Sequence, residues 1–509
     1  MTKGQSIKWN TSANFVGLGY TTIVGIVVLP LYLQYLGAEA FGLVGFFLVL
    51  QVWMQVLDMG MSPLLSRQAA HFRGQNDGYQ ELKRLLRSLE LIVLAIAITA
   101  FLGIAAASTW VTTNWLNVSL ISPSNVGDCI ILMGATIGLR FFAVLHRSGI
   151  QGLEAQVKLN IANVVVVSLK FIGALLLLKF VTQDIVEFFV YQFFVGVFES
   201  GLMATLFYRL VPATERVGFT IFWRTLKPVL PFAGSMAYTA AIWVLLTQLD
   251  KLVLSNVLTL SDYGYFSIAA VVAAGISQIG APISQAILPR MTYLLSQDKE
   301  TEMLLLYRQS TQLMAAIALP LAGVIAFFST ELLFAWTGNA VAADWAGPVL
   351  FWFALGNGIL TISAFQFYLQ FAHGKLGMHV AFNSVAAVIQ VPLILYAAYE
   401  YGVMGVALTW FALRLLTFIV WTPMVHKRFA DGIHLSWLFT DIGPSFVVTS
   451  VLLLAVMSLD VPFDNMSRPS IFVTLIGVGS VILLCNVLVS RAPRNLLLGI
   501  ATRAFTNEE

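Results

Sequence analysis

LGAEAFGLVGFFLVLQVWMQVLDMGMSPLLSRQAAHFRG, from Leu36 to Gly74, returns in altered form about 222 residues later as VLTLSDYGYFSIAAVVAAGISQIGAPISQAILPRMTYLLS, from Val257 to Ser296. In both copies an acid precedes an aromatic-glycine pair (Phe41-Gly42, Tyr263-Gly264) and an apolar helix follows. A proline (Pro63, Pro282) interrupts the end of that helix, and an arginine (Arg67, Arg290) marks the exit. A second match at the same offset pairs Gln151-Gly152 through Asn160 with His373-Gly374 through Asn383. The chain reads as one helical unit used twice. Repeats of so long a period mark transporters, because two similar half-bundles leave a site at their seam.

The rest of the chain fits a body that lives in lipid. Of 509 residues, 59% are apolar and 10% charged, against roughly 25% charged in soluble domains. A net charge of +3 gives no field to hold nucleic acid. Cys129 and Cys485 lie in apolar runs, which leaves no disulfide framework and no CxxC site. There is no GxxxxGK[ST] sequence to hold ATP, so energy must come from a gradient or from the fate of the substrate. The first apolar run lacks a small-residue cleavage site and reads as a true span rather than a signal peptide.

At about twenty apolar residues per crossing, the sequence predicts an all-α polytopic protein of about fourteen spans. They fall near 13–33, 41–63, 89–110, 127–147, 160–180, 186–207, 229–254, 263–287, 309–329, 346–370, 380–399, 403–424, 440–459 and 470–490. The repeat divides them into lobes at 1–215 and 216–430, six spans each, with two further spans and a tail over 431–509. The longest loops are expected at Leu64–Ser88 and Tyr208–Pro228. Four cations are predicted inside helices: Arg140, Lys170, Lys251 and Arg414. With the N-terminus cytoplasmic, all other basic residues except Lys179 and Arg468 fall on the cytoplasmic side, which fixes both termini inside.

Those four cations carry the chemistry. Each costs about 2.5–3.5 kcal/mol at a helix centre, so each must face a partner, a polar cavity or water. The acids at comparable depth are Asp58, Glu199 and Asp250, so full pairing would still leave one cation over. Asp250 and Lys251 are adjacent and are not expected to face each other on a helix. Polar positions extend the stripes: Asn14 on the first span, Gln55 on the second, Asn163 seven before Lys170, Thr247 four before Lys251, and Asn357 and Gln366 on the tenth. Such amides suit sugar hydroxyls and such cations suit phosphate or acidic sugars. The bland alternatives are interhelical glue for the amides, structural pairing for the buried cations, and positive-inside anchoring for Arg67 and Arg290. The six His form no metal-ligand spacing, and no metal is expected.

Four segments in order, NTSANFVGLGY, VLPLYLQYLGAEAFGL, LDMGMSPLLSRQAA and LDKLVLSNVLTLSDYGYFSIA, carry a family likeness. Over roughly the first twelve spans the chain resembles the multidrug/oligosaccharidyl-lipid/polysaccharide exporter superfamily. Within it the likeness is to the polysaccharide-transporter branch that contains the O-antigen flippases. The resemblance implies two parallel six-helix lobes in a V around a central cavity, plus two C-terminal helices. It also implies a non-enzymatic flippase in a bacterial inner membrane, moving an undecaprenyl-pyrophosphate-linked oligosaccharide for lipopolysaccharide assembly from the cytoplasmic to the periplasmic leaflet. On that reading Arg140, Lys170, Lys251 and Arg414 neutralise the head group, and Arg67 and Arg290 form a cytoplasmic gate. Asn14, Gln55, Asn163, Thr247, Asn357 and Gln366 line the cavity, and Asp58, Glu199 or Asp250 couple to a H+ or Na+ gradient. Expected partners are membrane lipid, a glycan polymerase and a chain-length regulator, with the monomer as the working form. The alternatives are a lipid II flippase, whose branch carries charges in a first span that has no Arg or Asp here, and a drug antiporter, whose first-span Asp is missing. In lipid II flippases a groove between the two extra helices holds the lipid tail. A membrane glycan polymerase or ligase fits less well, because the outer loops are short, and so does a major-facilitator symporter.

Overall fold

The computed structural model describes residues 3–72, 78–211, 217–218, 220–459 and 461–495. Among them there is no strand, and thirteen helices are long and apolar enough to cross a membrane. One of the thirteen, Gly377–Phe429, runs 53 residues, more than twice the length a crossing needs. Gly402, at φ 62 and ψ −151, breaks it in two, and that left-handed conformation is one that only glycine adopts cheaply. The described residues therefore give fourteen candidate spans, with the eleventh and twelfth meeting at Gly402. The helical segment after the second span fills most of the expected Leu64–Ser88 loop: Met61–Phe72 is helical and the third span starts at Gly78. The third span runs Gly78–Trp115, the fourth Pro123–Gly152, the fifth Gln156–Phe180 and the sixth Ile185–Leu210.

The duplicated segments have the same build, which corrects one expectation. Pro63 and Pro282 do not interrupt the ends of apolar helices. The second span closes in a short turn, Gln55–Asp58, then Met59 and Gly60 turn left-handed and a new helix, Met61–Phe72, begins with Pro63 as its third residue. In the later copy Leu260–Gln278 ends and Gly280–Ser296 begins, again with proline, Pro282, as its third residue. A first-turn proline gives up an N–H that has no helical partner anyway. Asp58 assists that start by accepting from Ser62 N (3.1 Å) and Ser62 Oγ (2.6 Å).

By contact the chain divides into two compact units, Met1–Gly264 and Tyr265–Glu509. The first unit holds the first seven spans and the opening residues of the eighth. Here the helix starts of the two copies cross reciprocally. Gly42 lies so close to the Leu260 carbonyl oxygen that no Cβ fits, and Gly264 stands in the same relation to the Ala38 carbonyl oxygen. Gly42 to Gly264 and Ala38 to Leu260 are both 222 residues, so the crossing reproduces the sequence offset. Polar contacts secure the same end of the unit. Asn117 Nδ2 donates to the carbonyls of Asn256 (2.7 Å) and Leu258 (3.1 Å), and Asn256 Nδ2 donates to Trp115 O (2.9 Å). The buried Glu39 carboxylate accepts from the backbone N–H groups of Ser119 (2.6 Å) and Leu120 (2.7 Å). The third, fourth and sixth spans are fastened near their other ends by Glu90, which accepts from His146 Nε2 (2.9 Å), Tyr208 OH (2.8 Å) and Arg87 Nη1 (2.8 Å).

The second unit packs around Met291, Tyr307, Met314, Phe365, Val425 and Trp437, all fully or almost fully buried. Its last two spans, His434–Ser458 and Arg468–Val489, are bound into it. Leu453, Ile471, Leu475 and Ile482 pack with Val324 and Phe328 of the ninth span. Asp441, 1% exposed, accepts from Arg308 Nε (2.6 Å) and Gln312 Nε2 (2.7 Å), while Gln312 Oε1 accepts from Ala492 N (2.9 Å). Asn486 Nδ2 donates to Thr449 Oγ1 (3.0 Å), and Ser445 and Ser490 hydroxyls meet at 3.0 Å. The thirteenth and fourteenth spans thus touch each other directly at two levels.

Candidate functional site

Within the first unit, three predicted residues from three helices converge with Gln51 of the second span and with Arg147, which the sequence did not single out. Arg140 and Arg147 are seven apart on the fourth span, two helical turns, and so share a face. Glu199, on the sixth span, accepts from Arg147 Nη2 at 2.9 Å and lies 4.0 Å from Arg140 Nε. Arg140 Nη1 donates to Gln51 Oε1 of the second span, and its guanidinium lies 5.3 Å from the Phe47 ring centre. Its Nε and Nη2 and Arg147 Nε are buried with no hydrogen-bond partner among the described residues. Lys170, on the fifth span, is half-buried, with Arg140, Arg147 and Glu199 in electrostatic reach. Among the described residues its ammonium has no carboxylate partner, and the ring it meets is Phe171 at 5.4 Å.

Among the described residues, then, one largely buried and two half-buried cations stand near one carboxylate, a formal excess of two positive charges. A buried cation without an acid is costly, and guanidinium N–H groups aimed at nothing add the cost of lost hydrogen bonds. Acceptors on the fifth and sixth spans are also open: Asn163 Oδ1 and Gln192 Oε1 are buried and have no hydrogen-bond partner among the described residues. The arrangement suits an anion that takes guanidinium and ammonium donors, with hydroxyl groups beside it.

The other candidates are placed differently. Lys251 does meet Asp250, contrary to expectation: its long stem folds back along the helix, so Nζ lies 2.9 Å from Thr247 O and 3.4 Å from the Asp250 carboxylate. Asp250 is 1% exposed, so this ion pair is largely enclosed. Thr247 is buried and donates to Trp243 O at 2.7 Å. Arg67 and Arg290 are exposed, each over a ring, Phe232 at 4.8 Å and Tyr293 at 5.2 Å. Gln55 is exposed in the turn that ends the second span. The Asn14 side chain lies outside the described residues.

In the second unit Arg414 is buried with its guanidinium 4.0 Å from the Trp410 ring centre. Asn357 joins the tenth span to the eighth, its Oδ1 accepting from Ser277 Oγ at 3.1 Å, so it serves there as interhelical glue. Gln366 is buried, and along this one span its Oε1, the Gln370 Oε1 and the Ser363 hydroxyl all lack partners among the described residues. A cavity of about 370 Å³ lies in this unit against Gln309, Ser310 and Asn495, and it touches none of the candidate residues.

Comparison with known proteins supports the family likeness read from the sequence. The profile of a family described as polysaccharide biosynthesis protein matches residues 7–295. A Shigella flexneri protein, provisionally named an O-antigen transporter, is 23% identical over 447 residues, 86% of this chain and 98% of its own. Among solved structures, the lipid II flippase MurJ in an inward closed conformation is similar at TM-score 0.66 and 14% identity. That match covers 96% of this chain and 99% of MurJ. An inward-facing multidrug resistance transporter of the MATE family, of the MOP superfamily, is similar at TM-score 0.63 and 13% identity, covering 81% of this chain and 96% of its own. The fold is thus like that of these solved MurJ and MATE structures.

Proposed function

We infer the function from one premise: this chain belongs to the polysaccharide biosynthesis protein family, whose profile spans more than half of it. It is a multi-pass membrane protein with a transporter fold. On our reading it is a flippase rather than an enzyme, carrying an undecaprenyl-pyrophosphate-linked oligosaccharide, an O-antigen or similar repeat unit, from the cytoplasmic to the periplasmic leaflet. The observation that carries this is the set Arg140, Arg147 and Lys170 around the single carboxylate of Glu199. A pyrophosphate diester bears about two negative charges and would meet a very large penalty in hydrocarbon. The excess of two positive charges offsets it, while the polyprenyl chain stays in lipid.

Alternating access would expose this cluster to one side and then the other. Lys251 is held by Asp250 and contributes less to the anion, and Arg414 offers a second cationic position in the other unit. Asp58 is occupied at a helix start, which leaves Glu199 and Asp250 as the acids able to answer a H+ or Na+ gradient. The cytoplasmic membrane, with both termini inside, is the setting this role requires, and a glycan polymerase and chain-length regulator are its natural partners.

The full chain reconstituted in vesicles with an undecaprenyl-pyrophosphate-linked saccharide tests the reading. Transfer of the saccharide head between leaflets, measured by access of an external sugar-modifying enzyme, is expected. Absence of transfer, together with proton-driven uptake of cationic dyes, would assign the drug-antiport function instead.

A further inference from the structure

Lys170 sits where the fifth span departs from α-helix. A π turn, Ser168–Gly173, separates the helical segments Gln156–Val167 and Ala174–Phe180. Such a turn spends one extra residue and weakens the regular ladder, so its carbonyls look outward for donors. Side chains from two other spans supply them in succession. Tyr191 OH donates to Leu169 O (2.8 Å) and Gln192 Nε2 to Lys170 O (2.9 Å). Tyr32 OH, from the first span, lies 2.8 Å from Phe171 O and 3.2 Å from Lys170 O. At the start of the turn Tyr20 OH and Ser168 Oγ meet at 2.6 Å. Gly173, lacking a Cβ, leaves the room that the Tyr191 hydroxyl occupies. Tyr32 and Gln192 are both almost fully buried.

A regular α-helix would need none of these donors. Each residue turns an α-helix by about 100°, so absorbing the extra residue would swing Lys170 away from Arg140 and Glu199. We propose that Tyr32 and Gln192 are positioning residues that hold the π turn open and so aim the Lys170 ammonium at the bound anion. The proposal rests on the reading that Lys170 meets an anionic head group.

The test measures binding of farnesyl pyrophosphate to the full chain in nanodiscs for Tyr32→Phe, Gln192→Leu, Lys170→Met and the double variants. Tyr32→Phe and Gln192→Leu are each expected to weaken binding about fivefold, the scale of one lost hydrogen bond. Lys170→Met is expected to weaken it more, and either positioning change is expected to add nothing in the Lys170→Met background. A merely structural role would lower stability while leaving the effects additive. If Lys170→Met weakens binding but Tyr32→Phe and Gln192→Leu do not, or if their effects add to it, the positioning role is wrong. If Lys170→Met binds as the parent does, both the site reading and the proposal fall.

Discussion

Replacing Arg140 by Met separates the two tasks this residue could have. Glu199 would keep Arg147 at 2.9 Å, so no carboxylate is stranded, and the Met side chain fills much of the space beside Phe47. The lost interactions are one hydrogen bond to Gln51 and a long 4.0 Å ion contact, together about 1–2 kcal/mol of stability. The effect on an anion is larger. At an effective dielectric near 20, a unit charge about 6 Å away contributes about 3 kcal/mol, and screening by water brings the loss to about 1.5–3 kcal/mol. Affinity for farnesyl pyrophosphate should therefore fall about ten- to a hundredfold, measured by titration in nanodiscs, with a melting temperature lower by only a few degrees. The loss should shrink as salt rises. An affinity within twofold of the parent, at a comparable melting temperature, would refute the idea that this guanidinium faces the anion.

Three further outcomes follow from the packing. Gly42→Ala or Gly264→Ala places a methyl group on a facing carbonyl and should lower the folded yield in detergent, seen by size-exclusion chromatography, whereas Gly103→Ala, with nothing within 4 Å, should not. Asp441→Asn keeps the shape at an enclosed position but leaves Arg308, about a third exposed, without its carboxylate, and should cost about 1–2 kcal/mol, read as a lower melting temperature with the last two spans exchanging amide hydrogens first. Glu39→Gln keeps the shape but loses the charge that holds two backbone N–H groups, and should cost about 1–2 kcal/mol in the same thermal assay.

The spans were legible because an apolar run of about twenty residues has few other fates, and even the meeting of the eleventh and twelfth near Gly402 fell between two runs. The repeat was legible from its aromatic-glycine pair. The role of its prolines was not, since a proline in a first turn and one that ends a helix look alike without the left-handed residues Met59 and Gly60. Arg147 is the last residue of the 127–147 run, and its spacing of seven from Arg140 is the signal that both share a face. The Lys251–Asp250 contact depends on a side chain folding back along its own helix, which sequence spacing does not reveal. The π turn at Lys170 has no sequence mark at all, because its donors come from residues about 20 and 138 positions away.

The reciprocal crossing of Gly42 and Gly264 also bears on ancestry. In an isologous interface residue i of one subunit meets residue j of the other, and j meets i in return. Here the glycine of each copy meets the backbone oxygen four residues earlier in the other. A half-length chain carrying that small-residue pair could have bound its own twin through the same surface, so gene fusion needed to invent no new contact. Once fused, the two glycines became separately mutable, and the burden of keeping both fell on a single polypeptide.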